Sequence, residues 1–124
     1  MARVLIIDDD IDALRIMKQI LAKEGYEVEI LSHWHESFEK IKSFQPNLIL
    51  LDILLSGIDG RHISKQLKSN DHTKNIPIIL VTATPDIAKN IGDSGADDYI
   101  EKPFTIDYLI NKIKTLIDHY SVKA

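Results

Sequence analysis

The chain contains no cysteine, which removes disulfides, thiol nucleophiles and thiolate metal sites from consideration. It has no apolar stretch near the ~20 residues that span a bilayer, so membrane insertion is not expected. Surplus positive charge is missing too, since 15 Lys and Arg face 19 Asp and Glu for a formal net charge of -4. Direct nucleic-acid partners usually demand a basic stripe that neutralises phosphates, and no such stripe is present. No linker, low-complexity tract or internal repeat interrupts the 124 residues. That length suits one domain, expected over residues 1–124, able to bury roughly two thirds of its unfolded surface. The amino terminus runs straight into Val4-Leu5-Ile6-Ile7 without the basic region, long apolar core and cleavage site of a secretory signal. A cytoplasmic location is the expectation.

What is present is organised around carboxylates. Val4-Leu5-Ile6-Ile7 ends in Asp8, Asp9 and Asp10, and a second apolar run, Leu48-Ile49-Leu50-Leu51, ends in Asp52. Short branched apolar runs bounded by loop formers read as strands buried on both faces. Along the chain such runs alternate five times with stretches of helical period. The expected strands are Arg3 to Asp8, Tyr26 to Leu31, Asn47 to Leu51, Ile76 to Val81 and Asp97 to Glu101. Between them, Ile11, Leu14, Met17 and Leu21 mark one helix, stopped at Gly25. Trp34, Phe38 and Ile41 mark a second, ending before Pro46, and Ile63 and Leu67 a third. A weakly patterned fourth is expected from Asp86 to Ile91, closed by Gly95. The fifth is the clearest, with Ile106, Leu109, Ile110, Ile113, Leu116, Ile117 and Tyr120 forming an apolar stripe. Five β/α units imply an α/β fold, a doubly wound parallel sheet with helices on both faces. Ligands of such sheets bind beyond the carboxyl ends of the strands, where strand order reverses.

Asp8, Asp9, Asp52, Thr82 and Lys102 all fall at or just after strand ends, so they are expected to converge there. Carboxylates about 4 Å apart repel by roughly 4 kcal/mol per pair at an effective dielectric near 20. Lys102 cancels one charge, and the remainder suits a divalent ion. Oxygen donors without histidine or thiol indicate Mg2+, with Mn2+ as a substitute. An open metal site with a carboxylate, a hydroxyl and an ammonium suits phosphoryl transfer. Asp52, alone at the end of its strand, is the expected nucleophile; Thr82 and Lys102 are the expected supports, and the adjacent Asp8 and Asp9 the expected metal ligands.

Four motifs carry a family resemblance: Leu5-Ile6-Ile7-Asp8-Asp9-Asp10; Leu50-Leu51-Asp52-Ile53 with Gly57-Ile58-Asp59-Gly60; Val81-Thr82-Ala83; and Gly95-Ala96-Asp97-Asp98-Tyr99-Ile100-Glu101-Lys102-Pro103-Phe104. Their order and spacing resemble the receiver domain of two-component response regulators over the whole chain. The resemblance implies a flavodoxin-like sheet in the order 2-1-3-4-5 with five helices. It implies that Asp52 accepts a phosphoryl group from a histidine kinase or histidine phosphotransfer protein, and that Asp8, Asp9, Asp52 and the Leu54 carbonyl surround Mg2+. It further implies a Thr82/Tyr99 switch that alters binding to a downstream protein target or effector domain, phosphate contact by Lys102, and a cis Lys102-Pro103 bond. Such a protein is no enzyme toward free substrates; it catalyses only its own phosphorylation and dephosphorylation.

Departures from the family pattern are local. Ser56 stands where proline is usual, implying a more mobile loop after the acceptor, and Asp10 replaces a more usual glutamate. The segment from Thr82 to Lys102 is about two residues short, within the weak fourth helix. Leu54 and Thr84 flank the acceptor where other receivers carry a group that orients the hydrolytic water. Rival readings are a haloacid-dehalogenase-like phosphatase with Asp8 as nucleophile, which leaves Asp52 without a role, and a phosphate-independent pseudo-receiver. His33 and His35 are read as solvent-exposed; His62, His72 and His119 receive no role. A stand-alone receiver and one cut from a longer regulator both fit the sequence.

Overall fold

The computed structural model describes residues 1–83 and 91–123, with side chains through residue 120. In chain order the elements are β1 (Arg3–Ile7), α1 (Ile11–Lys23), β2 (Glu27–Leu31), a 3-10 turn (Trp34–Glu36) running into α2 (Ser37–Phe44), β3 (Leu48–Asp52), β4 (Leu54–Leu55), β5 (Ile58–Asp59), α3 (Gly60–Lys68), β6 (Ile78–Thr82), a second 3-10 turn (Gly92–Ser94), β7 (Asp98–Glu101) and α4 (Ile106–Lys123). The main sheet has five parallel strands in the order β2-β1-β3-β6-β7. Counting these strands alone, that is the expected 2-1-3-4-5. Four α-helices occur among the described residues, and the fourth helix expected from the sequence lies, apart from Ile91, outside them.

The apolar runs are continuous because the strands are buried on both sides. Side chains alternate across a strand, so Val4 and Ile6, Leu48 and Leu50, and Ile79 and Val81 enter one core with α1 and α4. Leu5 and Ile7, Ile49 and Leu51, and Ile78 and Leu80 enter the other with Ile41 of α2 and Ile63 and Leu67 of α3. The helices present narrower stripes than the sequence indicates. Leu14, Met17 and Leu21 are buried on α1 and Leu109 and Ile113 on α4, whereas Ile11, Phe38 and Ile106 are exposed. Ile11 and Ile106 lie at helix starts and Phe38 on the outer side of α2, each beyond the sheet's footprint.

Local chemistry sets the element ends. Asp10 caps α1 by accepting from the Asp12 and Ala13 amides at 3.0 and 3.2 Å, which fills that helix end's orphan donors. Asp59 caps α3 through the Arg61 amide at 2.8 Å. The stretch around Ser56, expected as a plain loop, is a small antiparallel pair in which Leu54 faces Asp59 and Leu55 faces Ile58. Gly57 turns it at a φ of 79°, a conformation glycine adopts without steric cost.

At the opposite edge of the sheet, Lys68 Nζ donates to the Ile76 carbonyl at 2.8 Å and pairs with Asp97 at 2.8 Å. Asp97 also accepts from the Ile78 amide at 2.8 Å and from the Tyr120 hydroxyl. Burial and then Asp97 push the Tyr120 hydroxyl up to about 12. One half-buried carboxylate thus fastens α3, β6, β7 and α4 together. Replacing it strands the Ile78 amide and leaves the Lys68 ammonium with carbonyl partners but no counter-charge, so Asp97→Ala is expected to lower unfolding free energy by about 2–3 kcal/mol, read by urea denaturation. Tyr120→Phe, which leaves the ion pair intact, is expected to cost about 1 kcal/mol.

Candidate functional site

Strand order reverses between β1 and β3, because β2 lies outside β1 and β6 outside β3. The residues leaving the carboxyl ends of those strands therefore face one crevice. Asp8 follows β1, Asp52 ends β3, Thr82 ends β6 and Lys102 follows β7. Register fixes their relative heights: Ile7 pairs with Leu51, Asp52 with Val81, and Thr82 with Glu101.

Asp8 and Asp52 meet around one ammonium. Lys102 Nζ lies 3.3 Å from Asp8 Oδ2 and 3.7 Å from Asp52 Oδ2. The Asp8 side chain is 4% exposed and that of Asp52 12%. Asp8 also accepts from the Asp10 amide at 2.9 Å, and Asp52 from the Leu54 amide at 3.2 Å. Burial and then the Asp8 charge push Asp52 up to about 6, against the opposing pull of Lys102 and the Leu54 amide. Two carboxylates and one lysine leave a net negative charge, which adds to the larger effect of burial in raising Asp52.

Asp9 takes a different course. Its carboxylate accepts from the Ser56 amide, and the Ser56 carbonyl accepts from Trp34 Nε1 at 2.9 Å. Among the described residues no group of three histidine or acidic side chains is close enough to hold a metal ion. Of the three expected metal carboxylates, Asp8 and Asp52 come together and Asp9 is drawn aside. The backbone of Ser56, where the sequence implied a looser loop, is held at both its amide and its carbonyl. The donor set still fits magnesium, which commonly uses one or two carboxylates and retains several waters.

Thr82 is fully buried at the end of β6, and its carbonyl accepts from the Lys102 amide at 2.7 Å. The Lys102-Pro103 bond is cis, as the resemblance implied. Tyr99 is half-buried and packs against the core beneath α2 and α3. Leu54 is 57% exposed beside Asp52, and Thr84 lies outside the described residues. His33 and His35 are exposed, with His35 stacked on Trp34 at 3.8 Å. Asp8 is the more enclosed of the two carboxylates, its side chain 4% exposed against 12% for Asp52, and it lies nearer the Lys102 ammonium, at 3.3 against 3.7 Å.

Two contributors received no role from the sequence, although Gly60 stands in the Gly57-Ile58-Asp59-Gly60 motif. The Ser56 amide acts through its backbone, so the residue type gives no sign of it. Gly60 follows the Asp59 cap, and its amide donates to the Ile53 carbonyl at 2.7 Å. A Cβ there would lie 2.1 Å from the Asp52 carbonyl oxygen, so only glycine permits α3 to begin against β3.

Comparison with known proteins agrees with this geometry. The response regulator receiver domain family matches residues 4–114. Response regulator MprA of Mycolicibacterium vanbaalenii is 31% identical over 117 residues, covering 93% of this chain and 50% of that protein. The chain thus spans about half the length of the curated relatives it matches. A CheY-like receiver domain protein from Methanospirillum hungatei superposes with a TM-score of 0.91 at 34% identity, covering 100% of this chain and 99% of the other. The receiver domain of a histidine kinase from Syntrophus aciditrophicus gives 0.87 at 29% identity, over 96% and 92% of the two chains. With the family matched over almost its full length and the fold shared end to end, this chain belongs to the response regulator receiver domains, the phospho-acceptor signalling modules of two-component systems.

Proposed function

We propose that Asp52 is the phospho-acceptor. The observation that supports this most directly is its place at the end of β3, beside Asp8 and within 3.7 Å of Lys102 Nζ. The donor is a phosphohistidine on a sensor kinase or phosphotransfer protein. An Asp52 oxygen attacks phosphorus, the phosphorus–nitrogen bond breaks, and its electron pair returns to the imidazole, which takes up a proton. Lys102 neutralises oxygen charge on the transferring group, and the Thr82 hydroxyl donates one hydrogen bond to it. Asp8, Asp9, Asp52 and the Leu54 carbonyl would hold the divalent ion, magnesium or in its place manganese. When bound, it supplies charge neutralisation and orientation of the phosphoryl oxygens.

The signal then passes through Thr82 and Tyr99. Thr82 moves toward the phosphate, and Tyr99 follows into the space behind it, changing the face offered to a downstream protein or effector domain. The chain acts on itself alone, forming and losing one aspartyl phosphate. A cytoplasmic setting fits a kinase partner, and no described helix is long and apolar enough to cross a membrane. Residues 1–124 form one receiver domain, without direct contact to nucleic acid.

Incubation with magnesium and acetyl phosphate, read by intact mass, is expected to add one phosphate to the parent and none to Asp52→Ala. No adduct in the parent would overturn the acceptor role, and an adduct surviving the substitution would move the chemistry to Asp8. The raised Asp52 value gives a second test, in chelator. The folded chain binds that proton more tightly than the unfolded one, so the carboxylate destabilises the fold above about 6 and ceases to do so below 3.8. Asp52→Asn is expected to gain about 1 kcal/mol over the parent at pH 7.5 after allowance for solvent screening, and the gain should vanish near pH 4. Equal urea midpoints at both pH values would contradict it. Leu54 offers no hydrogen bond to a water beside the acyl phosphate, so Leu54→Asn is expected to shorten its lifetime several-fold, followed by loss of the mass adduct over time.

A further inference from the structure

Asp9 lies on the rim of the site rather than in it. The side chain is exposed, its carboxylate accepts from the Ser56 amide, and its charge is absent from the causes that displace Asp52, where Asp8 and Lys102 dominate. The next peptide group is gripped as well, because the Ser56 carbonyl accepts from Trp34 Nε1 at 2.9 Å. Trp34 opens the 3-10 turn that runs into α2, and its carbonyl accepts from the Ser37 hydroxyl at 2.5 Å. A chain of hydrogen bonds therefore runs from the start of α2 through the backbone of one residue, Ser56, to an acidic side chain at the mouth of the site. Proline, the residue more usual in this family at that position, has no amide hydrogen and cannot make the link.

We propose that the Ser56 peptide is a latch that competes with a divalent cation for Asp9, so that cation uptake is linked to a change at Trp34. This rests on the reading of Asp8, Asp9 and Asp52 as the cation-binding carboxylates. A carboxylate held by a charge-assisted hydrogen bond must give up that bond, or reorient about it, to face the ion. Cation binding is weakened by that cost, and the Ser56 backbone, once its amide is released by Asp9, is free to shift against Trp34. Ser56 is thus a positioning residue. It acts through its backbone amide, and its side chain is immaterial.

The test uses magnesium chloride titrated into the parent, Ser56→Ala and Ser56→Pro, read by calorimetry and by Trp34 emission, the chain having one tryptophan. Ser56→Ala keeps the amide and is expected to bind within about two-fold of the parent. Ser56→Pro removes it and is expected to bind about five-fold more tightly. Parent emission should change as magnesium saturates, with the same midpoint as the heat. Equal or weaker binding by a folded Ser56→Pro overturns the latch. The parent alone gives an independent reading through NMR: the Ser56 amide proton, shifted downfield by its carboxylate partner in chelator, should move upfield on saturation. An unmoved Ser56 resonance at saturating magnesium also overturns the latch, while leaving the cation site standing. A parent that takes up no magnesium overturns the latch and the cation site together.

Discussion

Mutual repulsion between Asp8 and Asp52 is the constraint around which the site is built. In isolation two such carboxylates would separate, since about 4 kcal/mol opposes their approach at protein-like dielectric. They are held by what lies behind them. β1 and β3 pair side by side from Val4 with Leu48 to Ile7 with Leu51, and every one of these side chains is 0–1% exposed. Each buried aliphatic side chain contributes about 1.5–3 kcal/mol, so the apolar strands outweigh the electrostatic penalty several times over. Lys102, carried in on β7 from the far side of β6, offsets part of the remainder. Burial first, and then the uncompensated charge of Asp8, raise the proton affinity of Asp52. A site under this tension favours whatever brings positive charge, which is the condition a cation-dependent phospho-acceptor requires.

The same logic explains why the framework was readable in advance. Strands buried on two faces must be apolar at every position, so Val4 to Ile7 and Leu48 to Leu51 announce themselves without alternation. Residues just after such strands are forced to one edge, and this identified Asp8, Asp52, Thr82 and Lys102 together. Asp10 belonged to the same acidic run, yet its role is to cap α1. The course of Asp9 was not readable. It depends on a backbone amide 47 residues away, and any residue but proline would supply one. The β4/β5 pair was also hidden, because two-residue strands carry no period. Ile11, Phe38 and Ile106 fitted helical stripes in text and turned out exposed, since the width of a stripe is set by the partner surface, which the sequence does not contain.

Function and stability occupy opposite edges of the sheet. At the carboxyl edge, charges are gathered with incomplete compensation. At the other edge, Asp97 is fully engaged by Lys68, the Ile78 amide and Tyr120. Both carboxylates of the Gly-Ala-Asp-Asp stretch are structural in this sense, Asp98 pairing with Lys112 of α4 at 2.8 Å. This division lets the reactive edge remain electrostatically strained without loosening the fold, because the elements that converge there are tied down elsewhere.

Gly60 adds a mechanical consequence. With no side chain between them, the first residue of α3 rests on the Asp52 peptide backbone to backbone, and its amide is bonded to Ile53. Ordinary helix–strand contacts pass through methyl groups that rotate and absorb small displacements. Here there is no such cushion. A shift of β3 by a fraction of an ångström is passed directly to the start of α3, so the helix is a lever whose short arm is Asp52 itself.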